Sequence, residues 1–188
     1  MEYKVAVITG ASVGIGSAIA ESLAQKGIRL VLIARRRDKL EKLSEKLSDL
    51  TKCCIIDCDI TDQKNLQKHI QNLPEEFSAV DILINNAGKA LGLGTAQKAD
   101  WSNWQEMIST NCTALAFITH LFVGGMVQRN TGHIVNIGSI AGTYPYRGGN
   151  IYGATKAFVK QFSLNLKADL LGTAVRVTDI EPGMVGGS

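Results

Sequence analysis

The sequence predicts an α/β fold, a doubly wound parallel sheet in strand order 3-2-1-4-5-6 with helices on both faces. Three observations predict it. Short β-branched apolar runs alternate with longer segments of helical period. The runs are nearly continuous in apolar residues, as strands covered on both faces are. No linker, low-complexity tract or internal repeat interrupts the 188 residues, so positions 1–188 read as one domain. A chain of this length buries about 70% of the surface its unfolded form exposes, and needs no disulfide or structural metal.

The elements follow in order. Val5 to Thr9 is a strand, and a glycine-rich turn leads from it into a helix over Gly16 to Gln25, where Ala18, Ile19, Ser22 and Leu23 share a face. Arg29 to Ala34 is the second strand, followed by a charged helix over Asp38 to Leu50. Lys52 to Cys58 and a helix over Gln63 to Leu73 make the third unit, and Val80 to Asn85 is the fourth strand. A long helix spans Trp101 to Arg129; His133 to Gly138 is a strand, Tyr152 to Leu171 a helix and Ala174 to Ile180 the last strand. Right-handed crossovers with a reversal after the third strand set the order.

Composition excludes several classes. The net charge is only +3 and the basic residues are scattered apart from Arg35, Arg36 and Arg37, which argues against a broad nucleic-acid footprint. Unbroken apolar runs stay far below the roughly 18 residues that cross a bilayer. Met107 to Gln128 carries no formal charge, but Ser109, Thr110, Asn111, Thr113, Thr119 and His120 interrupt it, so it reads as a helix buried on most sides. The amino terminus enters a strand directly, without the features of a secretion signal, which makes the cytoplasm the expected compartment. Cys53, Cys54, Cys58 and Cys112 match no metal-ligand spacing, and no metal site is expected.

Thr9-Gly10-Ala11-Ser12-Val13-Gly14-Ile15-Gly16 lies between the first strand and the first helix. Glycines there let the backbone turn tightly and approach a phosphate, while the helix start offers free N–H groups and partial positive charge. A ligand-free turn is the alternative for this motif alone. A site that takes NAD has a carboxylate near the end of the second strand, for the ribose hydroxyls. Here that place reads Ala34-Arg35-Arg36, and guanidiniums bind a 2′-phosphate through forked hydrogen bonds, which selects NADP. The other reading places these arginines on the solvent face of the next helix, as is expected for Arg37.

Asp59-Ile60 follows the third strand, where the carboxylate can accept from an adenine amino group and Ile60 can flank the ring; a helix cap competes for Asp59, with Thr61 the better-placed cap. Asn85-Asn86-Ala87-Gly88 closes the fourth strand with two amides and a glycine, suited to the opening of the crevice or to a plain turn. Ser139 follows the fifth strand, and Tyr152 and Lys156 stand at i and i+4 on one helix face. An ammonium beside a phenol favours the phenolate, which a general acid/base tyrosine requires. Ligands bind at the carboxyl ends of such strands, and both Ser139 and Tyr152 follow one. A hydrolase is the weaker alternative, because Gly138-Ser139-Ile140-Ala141-Gly142 is not G-x-S-x-G.

These ordered motifs, with Asn111 in the long helix and Pro182-Gly183 after the last strand, resemble the short-chain dehydrogenase/reductase family over essentially the whole chain. The resemblance implies a Rossmann-type fold, NADP in the cleft, and a small hydroxyl or carbonyl substrate. It implies that Tyr152 passes the proton, Lys156 binds the nicotinamide ribose and tunes Tyr152, Ser139 positions the substrate oxygen and Asn111 anchors a relay water. Gly10, Ser12, Val13, Gly14, Ile15, Gly16, Arg35, Arg36, Asp59, Ile60, Asn85, Asn86, Ala87, Gly88, Pro182, Gly183 and Val185 are the expected cofactor contacts. Gly132 to Ser139, Tyr144-Pro145-Tyr146, Gly148 to Phe158 and Asp179 to Gly183 are similar to the NADP-dependent 3-hydroxy acid dehydrogenase branch. A ketoacyl-thioester reductase and a cofactor-binding regulator without turnover are the alternatives. The family implies a substrate lid and a last strand beyond Gly186-Gly187-Ser188, which the 188 residues do not include. It also implies a homodimer or homotetramer, with the uncharged face of the Trp101 to Arg129 helix, carrying Leu115, Ile118, Phe122 and Met126, expected to pack partly on the partner.

Overall fold

The computed structural model describes residues 3–92 and 94–183. Six strands alternate with helices: β1 (Val5–Thr9), α1 (Gly14–Ala24), β2 (Arg29–Ala34), α2 (Arg37–Leu47), β3 (Cys53–Asp57), α3 (Gln63–Gln71), α4 (Glu75–Ser78), β4 (Ile82–Asn85), α5 (Trp101–Ile108), α6 (Leu115–Gln128), β5 (Gly132–Ile137), α7 (Asn150–Asp169) and β6 (Val175–Ile180). The strands form one parallel sheet in the order β3-β2-β1-β4-β5-β6, as the sequence predicts. The path turns back at β1, so the carboxyl ends of β1 and β4 diverge into a crevice.

The two-sided apolar character of the strands is used on both faces. Ala6 and Ile8 of β1, with Leu30 and Leu32 of β2, pack beneath Ala20 and Ala24 of α1 and Leu40, Leu43 and Leu47 of α2. Val5, Val7, Val31 and Ile33 point the other way, into a core closed by Leu66 of α3, Phe77 of α4 and Ile118, Phe122 and Met126 of α6. Each fully buried aliphatic or aromatic side chain contributes about 1.5–3 kcal/mol.

Several boundaries move for local reasons. α1 begins at Gly14 rather than Gly16, because glycines carry no hydrophobic period. α2 stops at Leu47, where the Ser48 hydroxyl donates to the Glu45 carbonyl at 2.8 Å. The short α4 is held by buried Phe77 after Pro74. The predicted long helix is continuous from Trp101 to Gln128 but carries a π-helical turn over Ser109–Ala114, a feature common at functional sites. It is long and apolar enough by composition to cross a membrane, with a mean hydropathy of 1.4. Its apolar stripe is covered instead: Leu115, Ile118, Phe122 and Met126 are buried, three of them in the core beside Leu83 and Ile134. The expectation that these four face a partner subunit is therefore corrected. A helix lying on a sheet commits its strongest apolar stripe to its own core, and the large apolar residues left outside are Trp101, Ile108 and Val127.

Candidate active site

The crevice is built by backbone that only glycine permits. Gly10 has φ +64°, and a Cβ on it would lie 2.9 Å from the Cα of Ala87. A Cβ on Gly16 would stand 2.3 Å from the Gly10 carbonyl oxygen, so α1 and the turn touch through that glycine. Val13 precedes α1 in extended conformation without a side-chain cap, which leaves the first N–H groups of the helix to an anion. Gly16→Ala is accordingly expected to push α1 off the turn, lowering Tm by several degrees and weakening NADP binding at least tenfold, as read by thermal scanning and calorimetric titration.

Asn86 fixes the opposite wall. Its side-chain amide donates to the carbonyls of Thr9 (3.0 Å) and Gly10 (3.1 Å), and the backbone N–H groups of Asn86 and Ala87 donate to the Thr9 hydroxyl at 3.1 and 3.0 Å. Asn85 turns away from the crevice. Its buried amide donates to Thr119 Oγ1 (2.9 Å) and Asn136 Oδ1 (2.8 Å), and the Asn136 amide donates to Ser163 Oγ at 2.8 Å, a polar chain that ties α6, β4, β5 and α7 together. Its side chain, expected at the cofactor, is committed to the interior.

A cleft of about 360 Å³ opens between these walls. Gly10, Ser12, Val13 and Ile15 line it from the turn, Arg35 and Arg36 from the end of β2, Asp59 and Ile60 from the end of β3, and Asn86, Ala87 and Gly88 from β4. Sequence reasoning missed Ile33, Ala34, Cys58 and Thr110, which also line it. The first three lie at strand ends beside predicted positions; Thr110 immediately precedes Asn111, the one signal that marks it. Its hydroxyl is buried and without a hydrogen-bond partner among the described residues, so the cleft holds a polar group for a ligand to satisfy.

Arg35 and Arg36 are exposed at the rim. Arg36 Nη2 lies 3.4 Å from Ser12 Oγ, and Arg35 Nη1 is 3.8 Å from Asp59 Oδ2. Arg37 belongs to α2, where it pairs with Glu41 (2.7 Å) and Asp57 (3.3 Å). Asp59 Oδ1 accepts from the Thr61 N–H (2.9 Å) and hydroxyl (2.7 Å). Burial pushes the Asp59 carboxyl up, but those hydrogen bonds and the charges of Arg35 and Lys89 outweigh it and hold it below the usual carboxylate range. The cap of α3 is neither Asp59 nor Thr61: Asp62 Oδ1 accepts from the Asn65 N–H at 3.1 Å.

The acid/base candidates lie behind the Gly88 wall of the cleft. Tyr152 and Lys156 lie one turn apart on α7, with the Lys156 Nζ 5.9 Å from the centre of the Tyr152 ring. Lys156 is buried and donates to the Ile137 carbonyl at 2.7 Å. Burial lowers its pKa from the ordinary 10.5, while Asp179 and Cys112 push it back up. A Cβ on Gly88 would stand 3.5 Å from both the Lys156 Nζ and the Asn111 Oδ1, so Gly88 joins the cleft to this pair. Asn111 sits in the π-helical turn; its Oδ1 accepts from the Lys89 N–H (2.8 Å), and its Nδ2 donates to the Lys89 carbonyl (2.9 Å) and to Thr155 Oγ1 (3.0 Å). Ser139 is extended, and its Oγ accepts from the Ala141 N–H at 3.2 Å to cap a 3-10 turn over Ile140–Gly142. A Cβ on Gly142 would be 2.7 Å from the Lys156 carbonyl carbon, so the turn that Ser139 caps packs directly on α7 at Gly142. The Ile140 N–H donates to the Pro182 carbonyl (3.1 Å), which places Pro182 and Gly183 beside the turn; Val185 lies outside the described residues.

A sheet of this winding, with a nucleotide-sized cleft at its reversal and a tyrosine and buried lysine paired beside its Gly88 wall, defines a class of nicotinamide-dependent oxidoreductases. The chain belongs to the short chain dehydrogenase family, whose model matches residues 4–188. It is 48% identical over 184 residues to the NADP-dependent 3-hydroxy acid dehydrogenase of Escherichia coli (strain K12), covering 98% of this chain and 73% of that protein. It is 45% identical over 181 residues to sulfoacetaldehyde reductase 2 of Chromohalobacter salexigens, covering 96% of this chain and 72% of the relative. Among solved structures, the closed form of serine dehydrogenase complexed with NADP+ superposes with a TM-score of 0.93 at 48% identity, covering 97% of this chain and 73% of that one.

Proposed function

We propose that residues 1–188 work as one cofactor-binding and catalytic domain of an NADP-dependent oxidoreductase that acts on the hydroxyl or carbonyl group of a small 3-hydroxy or 3-oxo acid. The observation that carries this reading is the pairing of Tyr152 with buried Lys156, whose Nζ approaches Gly88 on the wall of a cleft that also carries Arg35 and Arg36. NADP supplies or accepts the hydride when bound, held by the glycine turn, the two arginines, Asp59, Ile60 and the Asn86 to Gly88 backbone. Ser139 Oγ holds the substrate oxygen, and Tyr152 Oη gives or takes its proton. Lys156 holds the nicotinamide ribose hydroxyls and supplies the positive charge beside the phenol. Asn111 is already engaged through its side chain, so its part in a water relay falls to its backbone in the π-helical turn, where the regular helical ladder is interrupted.

The relatives' activities, on 3-hydroxy acids and on sulfoacetaldehyde, support a small substrate bearing an anionic group. The test is a nicotinamide-absorbance assay with serine, 3-hydroxypropanoate and the corresponding oxo acids against ketoacyl thioesters. Turnover of the thioesters alone would overturn the substrate class. Replacing Arg35 and Arg36 together by alanine is expected to weaken NADP on the order of tenfold to a hundredfold while changing NAD little, because only NADP carries the 2′-phosphate. Added salt should narrow that gap. Equal losses for both cofactors in fluorescence titrations would make the arginines surface decoration.

The proposed compartment is the cytoplasm, a reading supported by four free thiols among the described residues. The proposed assembly is a homodimer or homotetramer. Exposed Ile108 of α5, Val127 of α6 and Phe158 and Leu164 of α7 supply apolar surface for it.

A further inference from the structure

Asp179 of β6 has no part in the chemistry above, yet it is set into the structure behind the reactive lysine. Val175, Val177 and Asp179 alternate onto the face of the sheet that α7 covers, and the two valines are buried there. The register places Asp179 beside Asn136, whose amide reaches Ser163 of α7 at 2.8 Å. Lys156 and Lys160 stand at i and i+4 on the same helix. Lys156 donates to the Ile137 carbonyl at 2.7 Å; Lys160 lies 3.1 Å from Glu181 Oε1 and donates to Thr143 Oγ1 at 2.8 Å. The Asp179 carboxyl rests on the bare Cα of Gly138, the residue after Ile137, where a Cβ would stand 2.4 Å from Oδ1.

Both Asp179 oxygens are buried and no N–H or hydroxyl donor among the described residues reaches them; the neighbouring carboxyl of Glu181 is the one group placed to share a proton with them. An unpartnered buried carboxyl costs stability, and folds retain such groups where the charge itself is used. The charged and titratable groups facing it are Lys156 and Lys160 from α7 and Glu181 beyond β6, with Cys112 of the π-helical turn facing Lys156 from the other side. Burial first, and then the charge and hydrogen bond of Glu181, push the Asp179 carboxyl above the usual carboxylate range; Lys156 and Lys160 pull it back down and limit that rise.

We propose that Asp179 is a positioning residue for the reaction, the buried counter-charge that keeps the Lys156 ammonium charged beside Tyr152. This rests on the reading of Tyr152 and Lys156 given above. Lys156 directs its hydrogen bond to the Ile137 carbonyl, so Asp179 acts on it through the field and not through contact. Gly138 is part of the device, because any side chain there would displace the carboxyl.

The experiment compares the full-length wild-type enzyme with Asp179→Asn by two readouts. The first is NMR titration of the Lys156 side chain in lysine-labelled protein, assigned with Lys156→Arg; the second is the pH profile of kcat. In Asp179→Asn the Lys156 midpoint should fall by about one pH unit, and the alkaline limb of kcat should move down with it. Asp179→Glu should restore most of both shifts, which a purely packing role would not require. If Asp179→Asn does not fold, Asp179→Ala removes the buried polar group altogether and gives the same readouts. An unmoved lysine midpoint in a folded variant overturns the proposal. The lysine titration needs no turnover, so it judges Asp179 even if the wild-type enzyme proves inactive with NADP, a result that would overturn the functional reading instead.

Discussion

Tyr152→Phe is expected to lower kcat by about a hundredfold to ten-thousandfold while leaving the NADP Kd and the Tm near their wild-type values. The substitution removes one hydroxyl and keeps the ring. That hydroxyl makes no hydrogen bond within the described residues, so folding loses nothing comparable to a buried polar contact. The ring still lies near the Lys156 Nζ, and Lys156 still donates to the Ile137 carbonyl, so the ribose contact proposed for Lys156 is left in place. Only proton transfer is lost. Stopped-flow reduction with NADPH and a 3-oxo acid, beside fluorescence titration of the cofactor, separates these quantities. A variant with more than half the wild-type kcat would remove Tyr152 from the mechanism, and one that lost cofactor binding as severely as turnover would make it a binding residue.

The fold was legible because the strands are short apolar runs in an order that only a doubly wound sheet satisfies, and the observed sheet has that order. The pairing of Tyr152 with Lys156 was legible because their spacing encodes geometry directly: i and i+4 on α7 put them on one face. What pattern could not give is whatever depends on partners distant in the chain. Asn85 and Asn86 are adjacent amides, and only the register of β4 against β1 and β5 decides that Asn86 clasps the glycine turn while Asn85 joins the interior chain to Ser163. The π-helical turn at Asn111 leaves no periodic trace, since six residues of altered winding are too few to shift a hydrophobic pattern. The stripe of Leu115, Ile118, Phe122 and Met126 showed that one face of the helix is buried; it carried no information on whether the cover is the helix's own sheet or another subunit.

Lys156→Met separates what the fold requires from what the chemistry requires. Turnover should fall by at least about a hundredfold, because the ribose contact and the charge beside the phenol go together. Stability should behave otherwise. Burial holds the native Lys156 pKa below its ordinary 10.5, though Asp179 and Cys112 push it upward, so the native state binds this proton less tightly than the unfolded chain does. Between the native pKa and 10.5 the unfolded chain therefore carries more protons, and stability from this group rises with pH across that window. Below the window the full penalty is present, and it is present at neutral pH. Methionine keeps most of the stem volume and removes the penalty, at the loss of one hydrogen bond to the Ile137 carbonyl, a contact worth about 1 kcal/mol. Urea unfolding at neutral pH should place Lys156→Met within about 1 kcal/mol of wild type or above it, and its stability should lack the alkaline rise. A loss of more than about 3 kcal/mol at neutral pH would mean that the Lys156 hydrogen bond and its attraction to Asp179 outweigh the burial of its charge, and that this lysine is kept for the fold as much as for the reaction.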